Sequence, residues 1–492
     1  MTIAATRSGK IEGVEDDGVL VFRGIPFAAP PVGPRRFLPP VREDAWDGVR
    51  GATRFGAESA QADTAIARML GSNAAHSNED SLYLNVWTPA CDDAARPVMV
   101  WIHGGAYVFG SGAVPWYDGT RFVQHGDVVV VTVNYRLGPF GFLHLVDQFG
   151  SELTGSGNAG VLDQIAALEW VRDCIGAFGG NANDITVFGE SAGANSVATM
   201  LAMPAASGLF HKAIAQSAAG AWVSTGERAA KVARRTIDKL GIRADDLNAL
   251  REIPQAQLLA AGPDLTDEAE EGIAGLPWQP VLDGATLLEL PRDAVAAGSA
   301  AEVHLQTGTN EHEMTLFQIL DPTLADLDDA QMIERLRPWA EDPAGLLRAY
   351  RAASPDATPQ QIWLALTTDG VFRIPAIELA EAQLAHGPTW MYRFAWETPA
   401  FGGMLRSSHA IEIPFVFDNL DRNTEGVTGN GPERQAIADT MHRAWIAFAR
   451  TGDPGWPAYD TTTRATMRFD VHSEVVEDPE GEQRRAWHPH PT

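Results

Sequence analysis

The pentapeptide Gly189-Glu190-Ser191-Ala192-Gly193 joins an apolar run, 185–188, to a stretch with helical character, 194–201. A serine at the centre of G-x-S-x-G, between a strand and a helix, sits on a sharp and strained turn that exposes its hydroxyl. The flanking residues must be small for that turn to close. In this context Ser191 is a candidate nucleophile rather than part of an ordinary glycine-rich connection. A second group of small residues, His103-Gly104-Gly105-Ala106, follows the apolar run 98–102. Acyl transfer develops charge on an oxyanion, which needs backbone N–H donors at ~3 Å. Small residues let a backbone come that close. The expected donors are the amides of Gly105, Ala106 and Ala192, the last being the residue after the nucleophile.

A serine hydroxyl needs a base within hydrogen-bond reach and an acid to orient that base. On a strand–turn–helix of this type the chain order is serine, then Asp or Glu, then histidine. His211 and His304 precede the late strands, and His442 lies within a helical stretch among core residues. His472, His488 and His490 belong to the polar tail. His409 lies in a loop between WMYRFAW and IEIPFVF and is the best base. The acid should stand just after a late strand, where GTNEHEM offers Glu311 and Glu313. Two residues apart on a strand, both would share one face. Spacing alone does not choose between them.

The elements that must position these groups alternate. Residues 20–40, 81–87, 98–105 and 127–135 read as strands with their turns, the last two as continuous apolar runs suited to a sheet covered on both faces. Residues 161–180 carry helical spacing and stop at glycine. Residues 184–201 then read strand, turn, helix. Late strands are expected at 304–311 and 389–396, and a C-terminal helix at 433–452. This alternation predicts an α/β fold with a mostly parallel sheet. The charged helical stretches 222–272 and 323–386 read as insertions outside that sheet. The polar tail after Asp470 is expected to fray.

Composition narrows the function classes. The chain of 492 residues has 45% hydrophobic content, enough for a large core, and a net charge of −27. Such a charge repels a phosphate backbone, so nucleic acid is not an expected partner. No run reaches the ~18–20 apolar residues that cross a bilayer, and the first residues lack the apolar region of a secretory signal. Two cysteines, Cys91 and Cys174, make neither a disulfide framework nor a cysteine-rich zinc site. The cytoplasm is the expected compartment. Oligomeric state, and whether the two cysteines pair, are not legible.

The chain resembles the type-B carboxylesterase family, which includes cholinesterases and bacterial para-nitrobenzyl esterases. The likeness runs through FRGIPFAAPPVGPRRF (22–37), EDSLYLNVWTP (79–89), VMVWIHGGAYVFGSG (98–112), VTVNYRLGPFGFL (131–143) and FGGNANDITVFGESAGA (178–194). It continues through TGTNEHE (307–313), HAIEIPFVF (409–417) and FARTGDPGWPAY (448–459). The resemblance implies a single α/β-hydrolase domain over 1–492. It implies a serine carboxylesterase with an acyl-Ser191 intermediate, Glu313 as acid and His409 as base, acting on a small-molecule ester without cofactor or metal. It also implies that Glu190 shapes the electrostatics of the site and that Ser217 supports the triad from behind. Two other classes use the same frame: an amide, carbamate or lactone hydrolase, and a non-catalytic binding homologue, which would lack triad members present here. Ser81 replaces the family's usual cysteine and Met314 its usual glycine. No tryptophan lies between Trp46 and Trp87, where cholinesterases stack the quaternary ammonium, which argues against choline esters.

Overall fold

The computed structural model describes residues 2–72, 74–243, 245–262, 276–318, 321–324 and 326–487. Its main feature is a thirteen-stranded sheet. Twelve of the strands lie side by side in the order Thr2–Thr6, Gly9–Asp16, Val19–Pro26, Tyr83–Thr88, Val129–Val133, Arg96–Ile102, Gly180–Glu190, Lys212–Gln216, His304–Asn310, Thr389–Phe394, Ala465–Phe469, Glu474–Glu477, and the thirteenth, Val49–Gly51, pairs parallel with Gly9–Asp16 off this path. Every neighbouring pair from Val129–Val133 to Ala465–Phe469 is parallel. The pairs towards both edges are antiparallel.

The two-residue period of the central strands sorts side chains into two cores. Val98, Val100 and Ile102 enter one apolar cluster, together with Val129, Val131 and Val133. Met99, Trp101 and Val130 enter the other, on the opposite face. Helices seal both faces. Ala159–Cys174 covers the first core, and a left-handed Gly179 (φ 74°) ends the 3₁₀ turn that follows it. Glu433–Thr451 covers the second, ending on Gly452 (φ 73°). The first helix agrees with the spacing and glycine stop read over 161–180, and the second with the helix expected at 433–452.

The segment after residue 222 is helical over Gly226–Lys239, Leu247–Glu252 and Gln255–Ala260. Residues 263–272 of that stretch lie outside the described residues. The later stretch holds Asp329–Leu336, Pro343–Ala353, Pro359–Thr368 and Ile374–Gln383. Two of these helices begin with reciprocal caps. Gln361 N–H donates to Thr358 Oγ1 at 3.2 Å while Thr358 N–H donates to Gln361 Oε1 at 2.9 Å, and Asp328 with Gln331 repeats the device. Such caps contribute about 1 kcal/mol each. A single turn of π-type helix, Asp369–Arg373, joins the last two helices.

The tail is not frayed over its described part. Glu474–Glu477 pairs antiparallel with Ala465–Phe469, and Gly481–Trp487 forms a helix. Trp487 is buried in a separate apolar cluster with Leu346, Tyr350 and Trp363. The polar composition of 471–486 concealed one aromatic anchor. His488 and His490 lie outside the described residues.

Candidate active site

In the strand order, Arg96–Ile102 is flanked by Val129–Val133 and Gly180–Glu190, so the chain reverses its direction of winding there. In open α/β sheets the crevice beyond the strand C-termini at such a point is where ligands bind. The glycine loop 103–106 leaves the end of the first of these strands, and Ser191 leaves the end of the third.

Ser191 has φ 55° and ψ −122°. A non-glycine residue in that region costs of order 1–3 kcal/mol and persists only where its surroundings fix it. Here Ser191 N–H donates to Gln216 O at 2.9 Å, and Ser191 O accepts from Asn195 N–H at 2.8 Å. The turn also needs its glycines. A Cβ on Gly193 would stand 2.0 Å from Ile102 O, and one on Gly104 2.6 Å from Glu190 Oε2. Ala192 opens the helix Ala192–Ala202, so its N–H has no partner within that helix.

Gly105, Ala106 and Tyr107 follow one another with φ of 109°, 54° and 61°. This left-handed run turns the chain back, and Val108 and Phe109 donate to Gly105 O at 2.9 and 3.1 Å. His103 supports the loop from beneath. It is fully buried, its Nδ1 lies 2.7 Å from Gly104 O, and its ring stacks on Tyr135 with centroids 4.4 Å apart. Burial, opposed by the bond to Gly104, pushes its pKa down to about 4, so it stays neutral.

His409 Nδ1 stands 2.7 Å from Glu313 Oε2. The other oxygen of Glu313 accepts from Asn310 N–H at 2.7 Å. Glu311 instead lies 3.6 Å from Arg468. The two glutamates do not share a strand face, because the strand ends at Asn310 and residues 311–314 form a turn. On its far side, His409 Nε2 faces Glu190 Oε1 at 3.0 Å without hydrogen-bond alignment. Glu190 adjoins Ser191 in the chain, so the imidazole lies between Glu313 and the residue that precedes Ser191. Phe372, on the π-type turn, and Phe317 pack on its ring at 4.9 and 5.1 Å.

Three buried carboxylates surround this one imidazole: Glu313, Glu190 and Glu412. Burial lowers the pKa of His409, but Glu190 and then Glu313 outweigh it and lift the value to about 9. Burial holds the Glu190 carboxyl well above the carboxylate range, against the pull of His409.

Glu412 was not anticipated from the sequence. Its oxygens accept from Gln216 Nε2 at 3.1 Å and Asn310 Nδ2 at 2.7 Å, and Gln216 Oε1 accepts from Trp445 Nε1 at 2.9 Å. The available signal was a single acidic residue inside the apolar stretch that follows His409. Ser217 is buried with φ 58°, and its N–H donates to Gly308 O at 2.8 Å. Its hydroxyl has no hydrogen-bond partner among the protein atoms, so no direct contact joins it to the triad candidates. A small cleft opens beside Gly104 and Gly105, lined also by Leu70, Trp116, Tyr117 and Glu190. Among the described residues no group of three His, Cys, Asp or Glu side chains is placed to hold a metal ion.

Compared with known families, residues 1–487 match the model of the Carboxylesterase family. The chain belongs to that family. It is 41% identical to the para-nitrobenzyl esterase of Bacillus subtilis (strain 168), over 99% of this chain and 98% of that protein. It is 36% identical to the fumonisin B1 esterase of Sphingopyxis macrogoltabida, over 92% of this chain and 84% of that one. Among solved structures, a carboxylesterase of Geobacillus stearothermophilus superposes with a TM-score of 0.91 at 44% identity, covering 99% of this chain and all of that one. The carboxylesterase described here therefore has the α/β-hydrolase fold and is a serine hydrolase of carboxylic esters. No helix of the described residues is long and apolar enough to cross a membrane.

Proposed function

We propose that Ser191 is the nucleophile of this carboxylesterase, His409 its general base and Glu313 the acid that orients the base. The 2.7 Å bond from His409 Nδ1 to a fully buried Glu313, with Nε2 facing the carboxyl of Glu190, the residue before Ser191, carries this reading. His409 Nε2 takes the proton of Ser191 as Oγ attacks the ester carbonyl, and the bond to Glu313 stabilises the resulting imidazolium. The amides of Gly105, Ala106 and Ala192 receive the oxyanion. His409 then protonates the leaving alcohol, and the acyl group stays on Ser191. Water activated by the same imidazole releases the acid. Glu190 tunes how readily the imidazole is charged.

The substrate class we infer is a neutral ester with an aromatic or benzyl alcohol. The cleft at the glycine loop presents Trp116 and Tyr117, and a 41% identical relative is named for para-nitrobenzyl esters. We further infer a cytoplasmic enzyme with one α/β-hydrolase domain and helical insertions. Both cysteines are free, which suits a reducing compartment.

The acid assignment is tested by amide substitution. Glu313→Gln keeps the shape of the side chain but removes the charge that pairs with the imidazolium. Turnover should fall by about 10²–10⁴, by comparison with the serine-protease aspartate. Glu311→Gln should stay within a few-fold of the parent. The reverse pattern on one activated ester, with both variants folded, would make Glu311 the acid. A series of para-nitrophenyl and para-nitrobenzyl esters of graded acyl length then defines the substrate.

A further inference from the structure

The loops that bring acid and base together are joined by a second histidine. The strand His304–Asn310 ends in the turn that carries Glu313, and the neighbouring strand Thr389–Phe394 leads into the loop that carries His409. The last ladder bond between them runs from Glu311 N–H to Phe394 O at 2.9 Å. Beyond it, His312 N–H donates to Ser407 O at 3.1 Å, and His312 Nδ1 lies 2.7 Å from Ser407 Oγ. Asn310 Nδ2 donates to Ser408 O at 2.7 Å, and His409 N–H to Glu313 O at 3.4 Å.

The base loop needs such restraint. Arg406 and Ala410, on either side of the three stitched residues, have φ of 53° and 66°. Residues with a Cβ seldom adopt that conformation unaided. Arg406 is further held by Glu397 at 2.7 Å. Among the bonds that join the acid turn to the base loop, the His312–Ser407 pair is the side-chain bond that involves neither a reacting group nor the buried Glu412. Ser407 is fully buried, so its hydroxyl has no water to turn to.

We propose that His312 is a positioning residue, whose bond to Ser407 sets the register of the base loop on the acid turn and so holds His409 Nδ1 on Glu313. This rests on the assignment of Ser191, His409 and Glu313 as the triad. The bond is between neutral groups over the working range: burial, then Arg406 and Arg393, push His312 down to about 3. His312 touches no substrate in this reading and acts through alignment alone. A misplacement of about 1 Å at a reacting pair can cost on the order of 10² in rate.

The test compares His312→Phe, which keeps the ring without the bond, with His312→Asn, which keeps a polar atom at the δ position. Ser407→Ala and the His312→Phe/Ser407→Ala pair complete a cycle. Each enzyme is titrated with an organophosphate so that rates refer to reactive Ser191. We expect kcat for His312→Phe to fall about 10- to 100-fold while KM stays within about twofold. His312→Asn should recover to within about threefold of the parent, and the double variant should be no worse than the worse single one. Should His312→Phe not fold, Ser407→Ala, which removes one oxygen, carries the same kcat expectation. A kcat for the folded variant within twofold of the parent, an Asn variant as impaired as Phe, or additive losses would overturn the proposal. Ser191→Ala and His409→Ala run alongside: activity in either would overturn the triad assignment instead.

Discussion

Glu190 Oε1 sits 3.0 Å from Nε2 of His409, the nitrogen that accepts the serine proton in the proposed mechanism. It favours the charged imidazole, and the active form is the neutral one. Its removal should therefore lower the pKa of His409. The expected outcome for Glu190→Gln is an acid limb of the kcat/KM–pH profile displaced to lower pH by about one unit or more. An unmoved limb would mean that Glu190 is already neutral throughout that range. At this scale the sequence pointed to Ser191, His409 and the small residues of the glycine loop as candidates by type, spacing and position. Glu313 could not be separated from Glu311 by spacing, because the choice depends on where the strand stops. Glu412, Asn310 and Gln216 were silent for a different reason: the bonds that join Glu412 to Asn310 and Gln216 link residues 102 and 196 apart in the chain.

At the scale of elements, the site depends on how closely one strand end approaches one helix start. Ile102 O comes so near Gly193 that a methyl group there would stand at 2.0 Å. Gly193→Ala must push the helix Ala192–Ala202 away from the strand Arg96–Ile102, moving Ala192 N–H relative to Gly105 and Ala106. Activity should fall by about 10² while near-native circular dichroism persists. Activity within twofold of the parent would show that the turn tolerates the shift. The strands and helices of the sheet were legible because their periodicity is strong, and Gly179 marked one end. The strand expected over 304–311 ends one residue earlier, at Asn310, because the polar residues that follow give no stop signal of their own. The turn at 311–314 is held by local bonds such as Thr315 N–H to His312 O at 3.0 Å and by tertiary bonds to Ser407 and His409.

Over the whole molecule, distant parts of the chain close on one another behind the site. The C-terminal helix places Trp487 Nε1 2.9 Å from Tyr350 Oη, and Tyr350 in turn hydrogen-bonds Asp369. Asp369 pairs with Arg373 at 2.6 Å across the π-type turn that sets Phe372 on His409. Trp487→Ala opens a cavity in this satellite core and removes a bond from Tyr350. It should cost about 3 kcal/mol, read as a lower urea midpoint at unchanged slope. A change under about 0.5 kcal/mol would show that the tail docks without contributing. The tail was misread from the sequence because composition reports average polarity, whereas docking depends on one buried indole. The parallel sheet and its single catalytic face were legible, since apolar runs alternating with amphipathic helices have few other solutions.

The central claim is that Ser191 forms the acyl-enzyme. Its most direct measurement is intact-mass analysis and peptide mapping after reaction with a para-nitrophenyl organophosphate, with activity followed in parallel. The account predicts one adduct per chain, mapped to Ser191, appearing in step with loss of esterase activity and absent in Ser191→Ala, which should be inactive though folded. An adduct on another serine that tracks the loss of activity, or a Ser191→Ala enzyme that still turns over esters at the parental rate, would contradict it.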